Sequence, residues 1–297
     1  MMKPQIAFLG TGIMGAPMCG HLLDAAYPVR AWNRSADKAR ALSGRGAEVC
    51  DTPAEAVSGA DFVIIMLSSG PVVDAVLFNE EESGRSVADH IGEGACVVVM
   101  SSIPVETSRA QAERLAEQGI RYIDAPVSGG EKGAVEATLT IMAGGEDTSI
   151  EHTREVLETM GGVTHVGPAG SGQLAKLANQ TIVGITIDAV SEALLLAEAG
   201  GADPAAVHKA LIGGFADSTI LRQHGERIIT RQFEPGARAE IQLKDLRTSR
   251  ELAESLGLDL PVLKLTEDLY RDMCAHGRSE LDHSALYLEL ADRRKDP

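Results

Sequence analysis

The sequence predicts an α/β domain built on a parallel sheet, followed by an all-α domain. Three observations predict it. Short β-branched runs alternate with helical patterns as far as about Gly167. A glycine turn closes the first of those runs, and strand signals stop after Gly170. The runs are QIAFL (Gln5–Leu9), VRAW (Val29–Trp32), FVIIML (Phe62–Leu67), CVVVM (Cys96–Met100) and YIDA (Tyr122–Ala125). Segments such as Ser35–Ser43 and Val105–Glu117 read as helices between them, with the Ser35 hydroxyl as an N-cap. Near-continuous apolar strands separated by helices imply a sheet covered on both faces. TLTIMAGG (Thr138–Gly145) and VTHVG (Val163–Gly167) extend the same sheet, with a helix between them. Beyond Gly170 five or six helical segments follow, broken by GADP, Gly213–Gly214, EPG and DLP. The expected domains are therefore 1–167 and 168–297, the second opening with a long helix from about 170 to 199.

Composition narrows the class. The 297 residues fit about two domains at roughly 100–200 residues each. Hydrophobic residues make up 44% and aromatics only 3%, so the core must be aliphatic. Net charge is −16, from 27 Lys and Arg against 43 Asp and Glu, with no basic run. That tells against nucleic acid as a partner. It also means that an anionic substrate needs a local cluster of cations. The four cysteines, Cys19, Cys50, Cys96 and Cys274, form no C-x-x-C pair and no zinc spacing. Buried thiols in a reducing compartment are expected. The N-terminus lacks the apolar stretch of a signal peptide. No run reaches the roughly 20 apolar residues of a membrane span. A cytoplasmic chain with no membrane partner is the expectation.

The first strand ends in GTGIMG, Gly10-x-Gly12-x-x-Gly15. Gly10 permits the tight turn, Gly12 lets backbone N–H groups approach a pyrophosphate, and Gly15 lets the helix pack on the strand. The helix dipole then faces the phosphates. A glycine-rich turn without a ligand is the bland alternative. The strand before it and the helix after it favour a Rossmann-like dinucleotide site formed by Gly10, Thr11, Gly12, Ile13, Met14 and Gly15. NAD-preferring sites carry an acid at the end of the second strand. Here the stretch is WNRS, with Asn33, Arg34 and Ser35, and Lys38 a turn later. These would accept a 2′-phosphate, so NADP(H) is favoured over NAD(H). Met66 and Leu67, closing the FVIIML run, are expected on the cofactor side.

Two further loops follow strand ends, where ligands bind in open α/β sheets. In DAPVSGG, Ser128 offers a hydroxyl, and Gly129 and Gly130 offer backbone N–H groups, a set that suits a carboxylate. In MSSIP, Ser101 and Ser102 face a nicotinamide, or Ser102 merely helps start the helix after Pro104. The stretch GSGQLAKLANQ then opens the long helix. Gln173, Lys176, Asn179 and Gln180 share one face at helical spacing. Leu174, Leu177, Ala178 and Ile182 lie on the other faces, and Val183, Gly184 and Ile187 continue the polar face as apolar. A two-turn polar patch on an otherwise buried-looking helix marks a cleft-facing site rather than a solvated surface.

FLGTGIMGAPM, DAPVSGG, GSGQLAKLANQ and LKDL stand in the order and spacing of the β-hydroxyacid dehydrogenase family, which this chain resembles over essentially its whole length. The resemblance implies that Lys176 is the catalytic general acid/base and Asn179 a substrate-orienting amide. It implies that Ser128, Gly129, Gly130, Lys176 and Asn179 contact the substrate, and that Lys244, beside Asp245, reaches the nicotinamide. KLANQ, GGFADSTIL and DHSAL are most similar to the branch that reduces tartronate semialdehyde to glycerate. Reduction of a short carboxylate-bearing semialdehyde is thus implied, as is a homodimer or homotetramer. Two departures stand out. Ser68 replaces a common proline, and WNRS resembles the NADPH-using branch although the substrate motifs belong to one that often carries an acid there. Glyoxylate, succinic semialdehyde and 3-hydroxyisobutyrate are alternative substrates by the same chemistry. A non-catalytic NADP-binding scaffold is the alternative of another kind.

Overall fold

The computed structural model describes residues 3–79 and 84–293. Among these, nine strands form one sheet: β1 (Ile6–Leu9), β2 (Val29–Trp32), β3 (Glu48–Val49), β4 (Phe62–Ile65), β5 (Cys96–Val99), β6 (Arg121–Asp124), β7 (Val127–Ser128), β8 (Leu139–Gly145) and β9 (Gly161–Gly167). The sheet runs β3-β2-β1-β4-β5-β6-β8-β7, with β9 also pairing β8. The first six are mutually parallel. β8 departs from the expected all-parallel sheet: it runs antiparallel to β6 and β7. Chain order reverses between β1 and β4, the switch point where such sheets bind ligands.

Period-2 alternation makes each central strand serve two cores. Ile6, Phe8, Ile64 and Val98 pack into one. Ala7, Leu9, Val63, Ile65, Val97 and Val99 pack into the other. Both faces are covered, so these strands read as unbroken apolar runs. Three of the cysteines, Cys19, Cys50 and Cys96, are buried here as thiols. Two expectations change. β4 stops at Ile65, which leaves Met66 and Leu67 in the loop beyond it. Ser35 stands at the N-cap of the helix Ala36–Arg40, but its hydroxyl makes no capping bond.

A single helix runs from Ser171 to Ala199, about 43 Å at the usual rise per residue. Its start is fixed by Asp124 at the end of β6. One carboxylate oxygen accepts the Gly170 N–H and the other the Gln173 N–H, each at 2.7 Å. The chain divides into two compact units, 1–176 and 177–297, with the division inside this helix. The helix is not apolar and buried all round. Ile182 is 64% and Leu196 75% exposed, whereas Asp188 and Ser191 are buried. Ser191 satisfies its hydroxyl on the Ile187 carbonyl, a turn back. Hydropathy alone does not say which face of a helix is covered. Among the described residues no helix is long and apolar enough to cross a membrane.

The second unit is helical: Pro204–Leu211, Thr219–Thr230, Ala239–Ser255, Pro261–Met273 and Leu286–Asp292 follow the long helix. Asp203 and Ser218 cap two of them through their side chains, on Ala205 N–H and Leu221 N–H. Leu246, Leu263, Tyr270, Met273 and Leu286 form one core, and Val190, Leu194, Leu221, Ile228 and Tyr287 a second. Buried Glu267 pairs with Arg250, and buried Glu289 with Arg278 and Arg293.

His224, Asp282 and His283 also cluster in this unit. Asp282 is spent on structure. It accepts N–H groups of Gly236, Ala237 and Ser284 and the Ser284 hydroxyl, with Arg227 3.5 Å away. Burial, reinforced by the neighbouring His224, pushes the His283 imidazole down to about 4. The unfolded chain therefore binds a proton that the folded chain refuses. The stability that His283 contributes is full above its usual value of 6.5 and is lost as pH falls toward 4. Burial raises Asp124 to about 7 and Asp188 to about 6, so these carboxyls act in the opposite sense over the same range. A comparison with His283→Gln isolates the imidazole. The stability of wild type relative to His283→Gln should fall by about 2–3 kcal/mol between pH 7 and pH 4.5. Urea denaturation at the two pH values measures it, and a pH-independent difference would contradict this reading.

Candidate active site

The glycine turn follows β1 at the switch point. Gly10 has φ +105°, and a Cβ there would sit 2.2 Å from the Met66 carbonyl oxygen. At Gly15 it would sit 1.9 Å from the Gly10 oxygen, so the turn and the helix Gly15–Asp24 close on each other without room for a side chain. Gly12 differs: a Cβ there would meet nothing within 4 Å. The strand–turn–helix is tight on its protein side and open on the other. No side chain caps the helix. The buried Thr11 hydroxyl has no hydrogen-bond partner among the described residues. Ile13 is exposed beside it. Open backbone N–H groups, an orphaned hydroxyl and a positive helix end fit a pyrophosphate.

The end of β2 is wired to that turn. Asn33 Oδ1 accepts the Thr11 N–H at 3.1 Å, and its Nδ2 donates to the Ser35 carbonyl at 3.1 Å. Asn33 is thereby a loop brace. Ser35 is exposed beside it, as are Arg34 and Lys38. Among the described residues neither of these two side chains forms a hydrogen bond or ion pair, so both remain available to an anion.

Leu67, past the end of β4, donates its N–H to the Ser101 hydroxyl at 2.7 Å. Ser101 is fully buried, so its role is to shape the loop, while half-buried Ser102 remains accessible. Gln173 also departs from expectation. It is buried rather than part of an open polar stripe. Its Oε1 accepts the Ile103 N–H at 3.0 Å and its Nε2 donates to the Ser101 carbonyl at 2.9 Å. In the first unit Ser128 ends β7, paired with Thr140, and Gly129 and Gly130 follow it as exposed residues with positive φ.

Lys176 is half-buried on the long helix, and Asn179 and Gln180 lie three and four residues on, the spacing that shares a face. The second unit holds a polar chain that sequence spacing did not disclose. Asn179 Nδ2 donates to Gln180 Oε1 at 2.9 Å, and Gln180 Nε2 donates to Asp245 Oδ2 at 2.8 Å. Gln242 Nε2 donates to the Gln180 carbonyl at 3.0 Å. Lys244 Nζ stands 3.0 Å from Asp245 Oδ1. Asp245 is buried, and Lys244 is half-exposed. The only sequence signal was LKDL itself. The partnership spans 65 residues, which no local pattern carries.

Residues 5–167 match the NAD binding domain of 6-phosphogluconate dehydrogenase, and residues 170–290 the NAD-binding domain of NADP-dependent 3-hydroxyisobutyrate dehydrogenase. The chain is 42% identical to 2-hydroxy-3-oxopropionate reductase of Escherichia coli, over 98% of this chain and 99% of that protein. It is 31% identical to the NAD-dependent L-serine dehydrogenase of Pseudomonas aeruginosa, over 95% and 96%. The solved 3-hydroxyisobutyrate dehydrogenase of Mycobacterium tuberculosis with L-serine superposes with a TM-score of 0.88 at 31% identity, covering 97% of this chain and 99% of that one. The chain belongs to the β-hydroxyacid dehydrogenase family, and it is a hydroxyacid dehydrogenase or reductase that uses a nicotinamide dinucleotide.

Proposed function

We propose that the enzyme reduces 2-hydroxy-3-oxopropionate (tartronate semialdehyde) to glycerate with NADPH, and that Lys176 is the proton donor. The observation that carries the substrate is the 42% identity, end to end, to a 2-hydroxy-3-oxopropionate reductase. The Ser128 hydroxyl and the N–H groups of Gly129 and Gly130 hold the substrate carboxylate by charge-assisted hydrogen bonds. A nicotinamide held there would supply the hydride to the aldehyde carbon. Lys176 as ammonium stabilises the charge developing on the aldehyde oxygen and donates the proton that completes the alcohol. As a neutral amine it accepts that proton in the reverse oxidation. Asn179 orients the substrate. Gly10, Gly12 and Gly15, with Thr11, Ile13 and Met14, would receive the pyrophosphate end of the cofactor. Met66, Leu67, Ser102 and Lys244 are the residues we assign to its nicotinamide end.

Support for NADPH comes from two side chains. Arg34 and Lys38 are exposed cations without intramolecular partners among the described residues, and Asn33 stands where an acid would repel a 2′-phosphate. Steady-state oxidation of NADPH and NADH against 2-hydroxy-3-oxopropionate, glyoxylate and succinic semialdehyde tests both halves of the reading. The highest kcat/KM should fall on 2-hydroxy-3-oxopropionate with NADPH. Arg34→Ala should cut the NADPH-over-NADH preference by roughly tenfold, the loss of one charge-assisted contact. A higher kcat/KM on succinic semialdehyde or glyoxylate would replace the substrate. An unchanged preference in Arg34→Ala would remove the cofactor assignment.

A further inference from the structure

We infer that the Asp245–Gln180 pair sets the orientation of the Asn179 amide, and that Asn179 thereby presents a hydrogen-bond acceptor that selects semialdehydes bearing a hydroxyl beside the aldehyde carbon. The inference rests on the reading above that this site reduces a short semialdehyde.

The argument is one of polarity. An ionised carboxylate only accepts hydrogen bonds, whereas a primary amide has one accepting end and one donating end. Asp245 therefore dictates which end of Gln180 faces it. The Gln180 Nε2 must donate, and it does so at 2.8 Å. Its Oε1 is then turned toward Asn179 and must accept, and the Asn179 Nδ2 donates to it at 2.9 Å. The Gln180 backbone is held as well, by Gln242 Nε2 on its carbonyl. Two amides that could each have flipped are thus locked by one buried charge. Asn179 Oδ1 is the end left over, with no partner among the described residues.

An unengaged amide oxygen discriminates by what it needs. A substrate hydroxyl can donate to it, and a methylene in the same place leaves it desolvated and unpaired. Sites that bond a substrate hydroxyl reject the analogue lacking it far more strongly than apolar pockets reject an extra group. Length matters too. At position 180 the longer glutamine amide spans from Asn179 to Asp245, and an asparagine is one methylene short of doing so. Gln180 is accordingly a positioning residue: it acts on substrate through Asn179.

The test compares two substrates that differ only in that hydroxyl, 2-hydroxy-3-oxopropionate and 3-oxopropionate, in wild type, Gln180→Leu and Gln180→Asn, with NADPH. Wild type should favour the hydroxylated substrate in kcat/KM by about tenfold or more, the worth of one hydrogen bond. Both variants should bring the ratio toward one, with the loss carried mainly by KM for the hydroxylated substrate. Asp245→Asn, which can face Gln180 with either end, should lower the ratio by a lesser amount. Loss of rate on both substrates in proportion, with the ratio kept, would overturn the inference, as would a wild-type ratio near one. Should Gln180→Leu fail to fold, Gln180→Asn decides, because it keeps an amide at the position. Failure of wild type to reduce either semialdehyde would instead overturn the proposed function, so the two failures are distinct.

Discussion

The register of the long helix depends on one carboxylate. Asp124, buried at the end of β6, takes the N–H groups of Gly170 and Gln173 on its two oxygens. The Gln173 N–H belongs to the first turn of the helix and the Gly170 N–H to the residue just before it, where no intrahelical partner exists. A buried N–H left unpaired costs about 1–3 kcal/mol, so the cap decides where the helix begins. Burial and capping pull the carboxyl in opposite directions. Burial prevails, raising it to about 7, while the N–H groups of Gly170 and Gln173 pull it down. Once the start is fixed, helical periodicity fixes Gln173, Lys176, Asn179 and Gln180 in turn. Gln173 returns the constraint by bonding both Ile103 and Ser101, whose hydroxyl in turn receives Leu67. One side chain thus registers the helix, the loop after β5 and the loop after β4.

A second constraint is electrostatic. A chain of net charge −16 must gather cations locally to bind an anionic cofactor and an anionic substrate. It does so sparingly. Arg34 and Lys38 stand by the glycine turn, and Lys244 is matched against Asp245 at 3.0 Å. In the proposed reading the rest of the anion recognition falls to neutral donors. These are the backbone N–H groups of the glycine turn and, in the proposed mechanism, those of Gly129 and Gly130. Neutral donors bind anions without adding charge to a site where, in the proposed mechanism, Lys176 changes its protonation state.

Much of this was legible in the sequence, for identifiable reasons. The central strands are covered on both faces, so IAFL, FVII and CVVV announce themselves as unbroken apolar runs. β3 and β7 are two residues each and lie outside that pattern, so they left no signal. The antiparallel course of β8 is a property of the connection, not of its residues. The glycine turn was readable because each glycine answers a steric demand, and the structure shows the clash that would follow at Gly10 and Gly15. Burial of Gln173 is not legible in the sequence, because a polar residue on a polar face looks like its neighbours until its partners are known. Gln180 and Asp245 each stand in a recognisable motif, yet their hydrogen bond joins elements 65 residues apart. Exposure along the long helix escapes the sequence for a related reason: Ile182 and Asp188 exchange the places that hydropathy assigns them.

The central claim is that Lys176 moves the proton. Its most direct test is the Lys176→Ala enzyme, with NADPH binding measured by fluorescence titration alongside kcat on 2-hydroxy-3-oxopropionate. The account predicts a loss of about 10²–10⁴ in kcat, the usual worth of a positioned general acid, with NADPH affinity little changed. Turnover within a few-fold of wild type would contradict it and place the proton transfer elsewhere.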